Sequence, residues 1–172
     1  MNLNNGTLRL RPVQSNDVEI LLHWENDPSH WWVSGITSPY SRADIEGFVS
    51  GITDIHQDKQ FRWVIEHEGH PIGTIDLYEF DAVHRRAGVG ILIAERSKRQ
   101  KGLGELALRL LMEHGQDVLS LHQLYAAIPE SNEASIRLFE KCGFVRTAVR
   151  REWLQFEGRF EDELFYQRIF EQ

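Results

Sequence analysis

Apolar and polar residues alternate from Thr7 to Arg11, with Leu8 and Leu10 on one face, and Pro12 closes the run. This pattern predicts a short strand. Ser15 or Asn16 then caps a helix whose apolar positions are Val18, Leu21, Leu22 and Trp24. From Asn26 to Tyr40, Pro28, Gly35 and Pro39 stand among aromatics, which predicts a loop. Ser41 and Asp44 make a capping pair, and Ile45, Phe48, Val49, Ile52 and Ile55 follow at helical spacing.

The middle of the chain reads as sheet. Phe61 to Glu66 and Ile72 to Phe80 are strand-like runs joined by a hairpin turn at His67-Glu68-Gly69-His70. Ala87 to Ala94 is continuously apolar, the pattern of a strand covered on both faces. Leu103, Leu106, Ala107, Leu110, Leu111 and Val118 make an amphipathic helix. Leu124 to Ile128 is another buried strand. Asn132 caps a short helix that carries Ala134, Leu138 and Phe139 and ends at Gly143. Val145 to Phe156 and Glu163 to Phe170 read as two strands joined around Glu157-Gly158-Arg159. The order is strand, two helices, a run of strands, helix, strand, helix and two final strands. It predicts an α/β chain that forms a single domain over residues 1–172.

Composition narrows the function classes. The chain has 172 residues, enough to bury one core. The formal net charge is −7, which disfavours non-specific nucleic-acid binding, because that depends on Lys and Arg neutralising phosphates. The acidity suits a cationic substrate as well as plain solubility. No apolar run is long enough to span a membrane, and the N-terminus has no apolar signal core. A lone cysteine, Cys142, forms no internal disulfide, and a cytoplasmic location is expected.

The informative stretch lies between the apolar strand and the long helix: Arg99-Gln100-Lys101-Gly102-Leu103-Gly104. Glycines at a helix start let an anion approach the backbone where unpaired N–H groups and the positive dipole end lie. Lys98, Arg99 and Lys101 add charge. Strand, turn, glycines and helix start together predict a pyrophosphate site. A nucleoside-triphosphate loop does not fit, since no Lys-Ser or Lys-Thr follows Gly104. A dinucleotide fingerprint would need Ala107 as its third glycine.

These residues resemble the GNAT acetyltransferase family. Arg99-x-x-Gly102-x-Gly104 is similar to its Q/R-x-x-G-x-G/A motif. Leu124 to Ile128, then Asn132, then Leu138-Phe139-Glu140-Lys141-Cys142-Gly143-Phe144 resembles its second signature. The start and the tail look like the branch that holds ribosomal-protein N-terminal and spermidine acetyltransferases. The resemblance implies the GNAT fold: a mixed central β-sheet splayed in the middle, with helices on both faces. Acetyl-CoA would enter the split. Its pantetheine arm would lie along Ile91, Leu92 and Ile93. Its pyrophosphate would meet the amides of Arg99, Gln100, Lys101, Gly102, Leu103 and Gly104. Asn132, Ser135 and Phe139 would touch its far side. The implied activity is direct attack of an amine on the thioester; the acceptor would be a polyamine, another small amine or a protein N-terminus.

The chain departs from the family at two positions. Phe139 replaces the tyrosine often used as acid, and Gly88 stands where the central strand often carries glutamate. Elimination then turns to the acids at the end of the Ile72–Phe80 run. Glu79 is placed ahead of Asp76 as the base, with Asp76 and Tyr78 expected on one face and Glu79 on the other. Trp31, Trp32 and Glu25 are candidates for holding the acceptor. The histidines show no metal-ligand spacing, so no metal is expected, and Cys142 reads as a structural thiol. Self-association is left open. The rival to an enzyme is a CoA-binding sensor or interaction module that kept the cleft and lost catalysis.

Overall fold

The computed structural model describes residues 3–34, 38–51 and 53–171, without the side chains of 32–34. It forms strand β1 (Leu8–Pro12), then helices α1 (Val18–Glu25), α2 (Pro28–Ser34), α3 (Arg42–Gly51) and α4 (Ile55–Asp58). Strands β2 (Phe61–His67), β3 (His70–Asp81) and β4 (Arg86–Ile93) follow, and then helix α5 (Leu103–Asp117). The chain closes with β5 (Gln123–Pro129), α6 (Glu133–Lys141), β6 (Val145–Phe156) and β7 (Arg159–Ile169).

The strands make one mixed sheet in the order β1-β2-β3-β4-β5-β7-β6. All neighbours are antiparallel except β4 and β5, which run parallel. That parallel pair holds only from Arg86↔Gln123 to Gly88↔Tyr125. Beyond it β4 runs on to Ile93 and β5 to Pro129 without pairing to each other. The sheet therefore splays at its centre, as the family resemblance implied.

Side-chain alternation along β4 sends successive residues to opposite faces. Ile91 and Ile93 pack against the cluster that includes Leu103, Ala107, Leu108 and Leu111 of α5. Leu92, with Ala94, packs against Val18, Leu21 and Trp24 of α1 and Ile45 of α3. Helices thus cover both faces of the strand, which explains its continuous apolar run. Leu108 and Leu111 are fully buried, each worth about 2 kcal/mol of transfer free energy.

Four sequence expectations need correction. The residue that precedes α1 as its cap is Asp17, not Ser15 or Asn16, which lie in a short 3-10 turn before it. The expected loop from 26 to 40 contains α2. Pro28 takes its first position, where a missing N–H costs nothing, and Asp27 accepts from the Ser29 N–H at 2.9 Å. The single helix expected over Ile45 to Ile55 is two, because α3 ends at Gly51 and Asp54 caps α4 by accepting from the His56 N–H. On α5, Leu106 is partly exposed and Val118 lies past the helix end; Leu108 and Met112 fill the core instead.

Candidate active site

The splay leaves one edge of β4 open from Val89 to Ile93. At the far end of that edge comes the turn before α5. Gln100 and Gly102 both take positive φ, 57° and 77°, and a Cβ on Gly102 would meet nothing within 4 Å. The first turn of α5 closes when the Leu106 N–H donates to Gly102 O at 3.1 Å, so the amides ahead of it face outward. Gly104 lies against Leu138 of α6, 3.4 Å from the position of an added Cβ. An unpaired strand edge that leads into a bare, glycine-lined helix start fits an extended amide arm ending in a pyrophosphate.

Arg99 braces this turn from inside. Its Nε donates to Ile93 O at 2.8 Å, a terminal nitrogen donates to Ala94 O at 3.3 Å, and the same nitrogen lies 2.7 Å from His30 Nε2. Its own amide already donates to Arg96 O. The anion-facing amides are therefore those after Arg99. Lys98 is turned to Glu68 and His67. Asn132 caps α6 by accepting from the Ser135 N–H at 3.2 Å, which puts both candidate residues at that helix start. Phe139 is 2% exposed and packs edge-on against Phe144.

The acids sort differently from expectation. Asp76 and Glu25, assigned separately to catalysis and acceptor binding, both hold Arg62. Arg62 Nε and Nη2 donate to Asp76 at 2.6 and 3.0 Å, and Nη1 donates to Glu25 at 2.5 Å. Arg62 also stacks over Phe48 of α3. Burial opposes its charge, but the two carboxylates outweigh that and hold its pKa above the ordinary value. Trp31 lies on α2, and its indole N–H donates to the Glu25 carbonyl at 3.0 Å. The side chain of Trp32 lies outside the described residues.

Glu79 sits in a bulge, because β3 residues Tyr78 and Asp81 pair with Gly88 and Arg86 of β4 and leave one residue too many on β3. Its φ of 49° is left-handed, a strained conformation for a side-chain-bearing residue. The bulge overrides strand alternation. Glu79 reaches the same ring as Tyr78: it accepts a short hydrogen bond from the Tyr125 hydroxyl, while Tyr78 meets Tyr125 edge-on at 5.9 Å. Tyr125 stacks in turn on Phe165.

No motif in the chain points to Tyr78, Tyr125 or Phe165. Yet Gly88 carried a signal, since glycine inside an apolar strand marks close approach of another group. A Cβ on Gly88 would lie 2.2 Å from Tyr78 Cε2, so the tyrosine ring fills that space. Burial first, then the charge of Glu79, pushes the Tyr78 phenol up to about 12, while the Ala127 backbone N–H works the other way. Cys142 is buried, and burial raises its thiol pKa. Among the described residues, no group of three or more His, Cys, Asp or Glu is arranged to hold a metal. No helix there is long and apolar enough to cross a membrane.

The model of the acetyltransferase (GNAT) domain family matches residues 7–145. The spermidine N(1)-acetyltransferase of Escherichia coli (strain K12) is 33% identical over 144 residues, which are 80% of this chain and 73% of that one. Spermidine N-acetyltransferase from Vibrio cholerae, solved in complex with CoA and spermine, superposes with a TM-score of 0.86 at 24% identity over 96% of both chains. A dodecameric structure of the Vibrio cholerae enzyme gives 0.80 at 25% identity, over 96% of this chain and 95% of that one. With its splayed sheet and glycine-lined helix start, the chain belongs to the GNAT acetyltransferase domain family and is an N-acetyltransferase.

Proposed function

We propose that this enzyme transfers the acetyl group of acetyl-CoA to a primary amine of a small cationic acceptor of the polyamine kind. The observation that carries the donor half is the open β4 edge leading to the helix start at Gly102. Amides of the pantetheine arm pair with Ile91, Leu92 and Ile93. The pyrophosphate sits on the amides from Gln100 to Gly104, with Arg99 holding the turn in shape. A backbone N–H of the β4 edge receives the developing oxyanion. Asn132 and Ser135 flank the donor from α6, and Phe139 packs behind it.

The acceptor half rests on the E. coli relative and on charge. The acceptor face carries Glu79 with three aromatic rings, a setting that favours an aliphatic ammonium. Glu79 attracts the cation and takes its proton. Asp76 and Glu25 act one step back by fixing Arg62, and Trp31 fixes the end of α1. Self-association fits the dodecameric relative and the exposed Trp153, Phe156 and Phe160 on the β6–β7 hairpin; light scattering tests it.

The functional test is release of free CoA from acetyl-CoA over a panel of polyamines, monoamines and peptide N-termini. Turnover greatest with polyamines supports the proposal. Turnover only with peptides would reassign the acceptor. The burial of Phe139 at the family's acid position favours a second reading, a CoA-binding module without catalysis. Tight acetyl-CoA binding with no turnover on any amine would establish it.

A further inference from the structure

Gly88 and Phe139 leave two positions without the side chains that often do chemistry in this family. The structure supplies another group at the same place. Tyr78 lies directly across from Gly88 in the β3–β4 register, and its ring occupies the volume a β4 side chain would take. Its ring meets Tyr125 of β5 edge-on, with ring centroids 5.9 Å apart. Tyr125 is the last residue of β5 that pairs with β4. Tyr78 therefore bridges from β3 over Gly88 to the strand that β4 has left, at the closed end of the cleft.

The direction of the donor follows from the fold. The pyrophosphate site adjoins the C-terminal end of β4, because Arg99 ties the turn to Ile93 O and Ala94 O. An arm that starts there and follows the open edge runs back toward Gly88. At about 3.3 Å per residue, the edge from Ile93 to Gly88 is about 17 Å long. The thioester end thus arrives where Tyr78 stands. A neutral phenol there carries one O–H that can donate into the cleft.

We propose that Tyr78 is a catalytic residue whose hydroxyl donates a hydrogen bond to the thioester sulfur as it leaves. The inference rests on the acetyl-transfer reading. In the step, the amine nitrogen bonds to the carbonyl carbon. The C–S bond breaks with its electron pair going to sulfur, and the nitrogen's proton passes to Glu79 and on to water. Tyr78 keeps its proton throughout. A phenol with a pKa raised to about 12 is a hydrogen-bond donor at neutral pH and a poor proton source. The thiolate takes its proton afterwards from water.

The test is Tyr78→Phe, which keeps the ring over Gly88 and removes only the hydroxyl. Two readouts are needed, with folding checked by thermal melting. In steady-state kinetics, kcat should fall about 100-fold with KM for acetyl-CoA unchanged, the usual cost of losing one positioned donor. In ultraviolet titration of bound CoA with no amine present, the thiolate should form at lower pH on the wild type than on the variant. A folded, CoA-binding variant with wild-type kcat or an unchanged thiolate titration would overturn the role of Tyr78. A wild type that binds CoA but acetylates no amine would instead overturn the acetyl-transfer reading, and the thiolate titration would still judge Tyr78.

Discussion

Asp76 grips Arg62 with both carboxylate oxygens across the β2–β3 pair, at 2.6 and 3.0 Å. Arg62 is mostly buried, and Glu25 holds its remaining nitrogen, so the carboxylate is committed to structure. Asp76→Asn should lower stability by about 1.5–3 kcal/mol, the range for hydrogen bonds to charged groups. The urea midpoint measures this. The surviving enzyme should keep the wild-type shape of its pH–rate profile; loss of its acidic limb would make Asp76 the base.

Glu79 should behave in the opposite way. It is exposed and sits at positive φ, so the fold gains little from it. Glu79→Gln should spare CoA binding and lower the rate most at low pH, where the free amine is scarce. Glu79→Gly should share the lost rate and also raise stability by about 1 kcal/mol, because glycine takes left-handed φ without penalty. An activity that survives both changes would leave proton removal to solvent.

Tyr78 and Gly88 should be strongly coupled. A methyl group at Gly88 would fall 2.2 Å from the Tyr78 ring edge, and a ring closing the cleft has little room to yield. Gly88→Ala alone should therefore cost stability, by about 1–3 kcal/mol for overpacking. In a Tyr78→Ala background the same change should cost almost nothing. A double-mutant cycle on denaturant midpoints gives the coupling, and additive effects would mean the ring moves freely.

The strand, turn and helix that frame the proposed donor site were legible because their signals are local. A buried strand, a glycine-bearing turn and an amphipathic helix follow one another within a few residues, and each imposes its own spacing. The splay itself came from family resemblance, since no periodicity records where two parallel strands stop pairing. The Arg62 network was hidden because it joins α1, β2 and β3 from positions far apart in the chain. The place of Glu79 was misjudged for a different reason: a bulge adds a residue and breaks the alternation that assigned its face. Pro28 reads as a loop breaker beside Gly35 and Pro39, whereas at the first position of α2 it starts a helix.

The glycine at the helix start offers a direct test of the donor site. An added Cβ at Gly104 would make ordinary contact with Leu138, 3.4 Å away, and Ile93, 3.8 Å away. Gly104→Ala should fold normally. Gly104→Val brings further methyls over the first-turn amides and should weaken CoA binding by about 10-fold or more, or at least 1.4 kcal/mol. Calorimetry decides it, and an unchanged affinity in a folded variant would move the pyrophosphate elsewhere.

Acid sensitivity should originate at the β1 edge of the sheet, at Arg11. Its nitrogens donate to both oxygens of Asp17, at 2.7 and 2.8 Å, and to Glu66 at 2.9 Å. Asp17 is only 3% exposed and Glu66 8%. Burial pushes the Asp17 carboxyl up, but Arg11 and the Gln14 amide outweigh it, so its pKa lies below the ordinary value. Glu66 is likewise held low, chiefly by Arg9, with Arg11 adding to it. Folded-state pKa values below the unfolded ones mean that the unfolded chain binds more protons in acid. Stability from these groups is thus fully present above their ordinary values and is lost as pH falls through the depressed ones. Arg11→Met should destabilise by about 3–5 kcal/mol at neutral pH, because it leaves Asp17 charged and buried without its cation. Asp17 would then gain from protonation, so the gap between wild type and variant should narrow below about pH 4. Urea midpoints from neutral pH into that range test it; a constant gap would mean that Arg11 acts through packing alone.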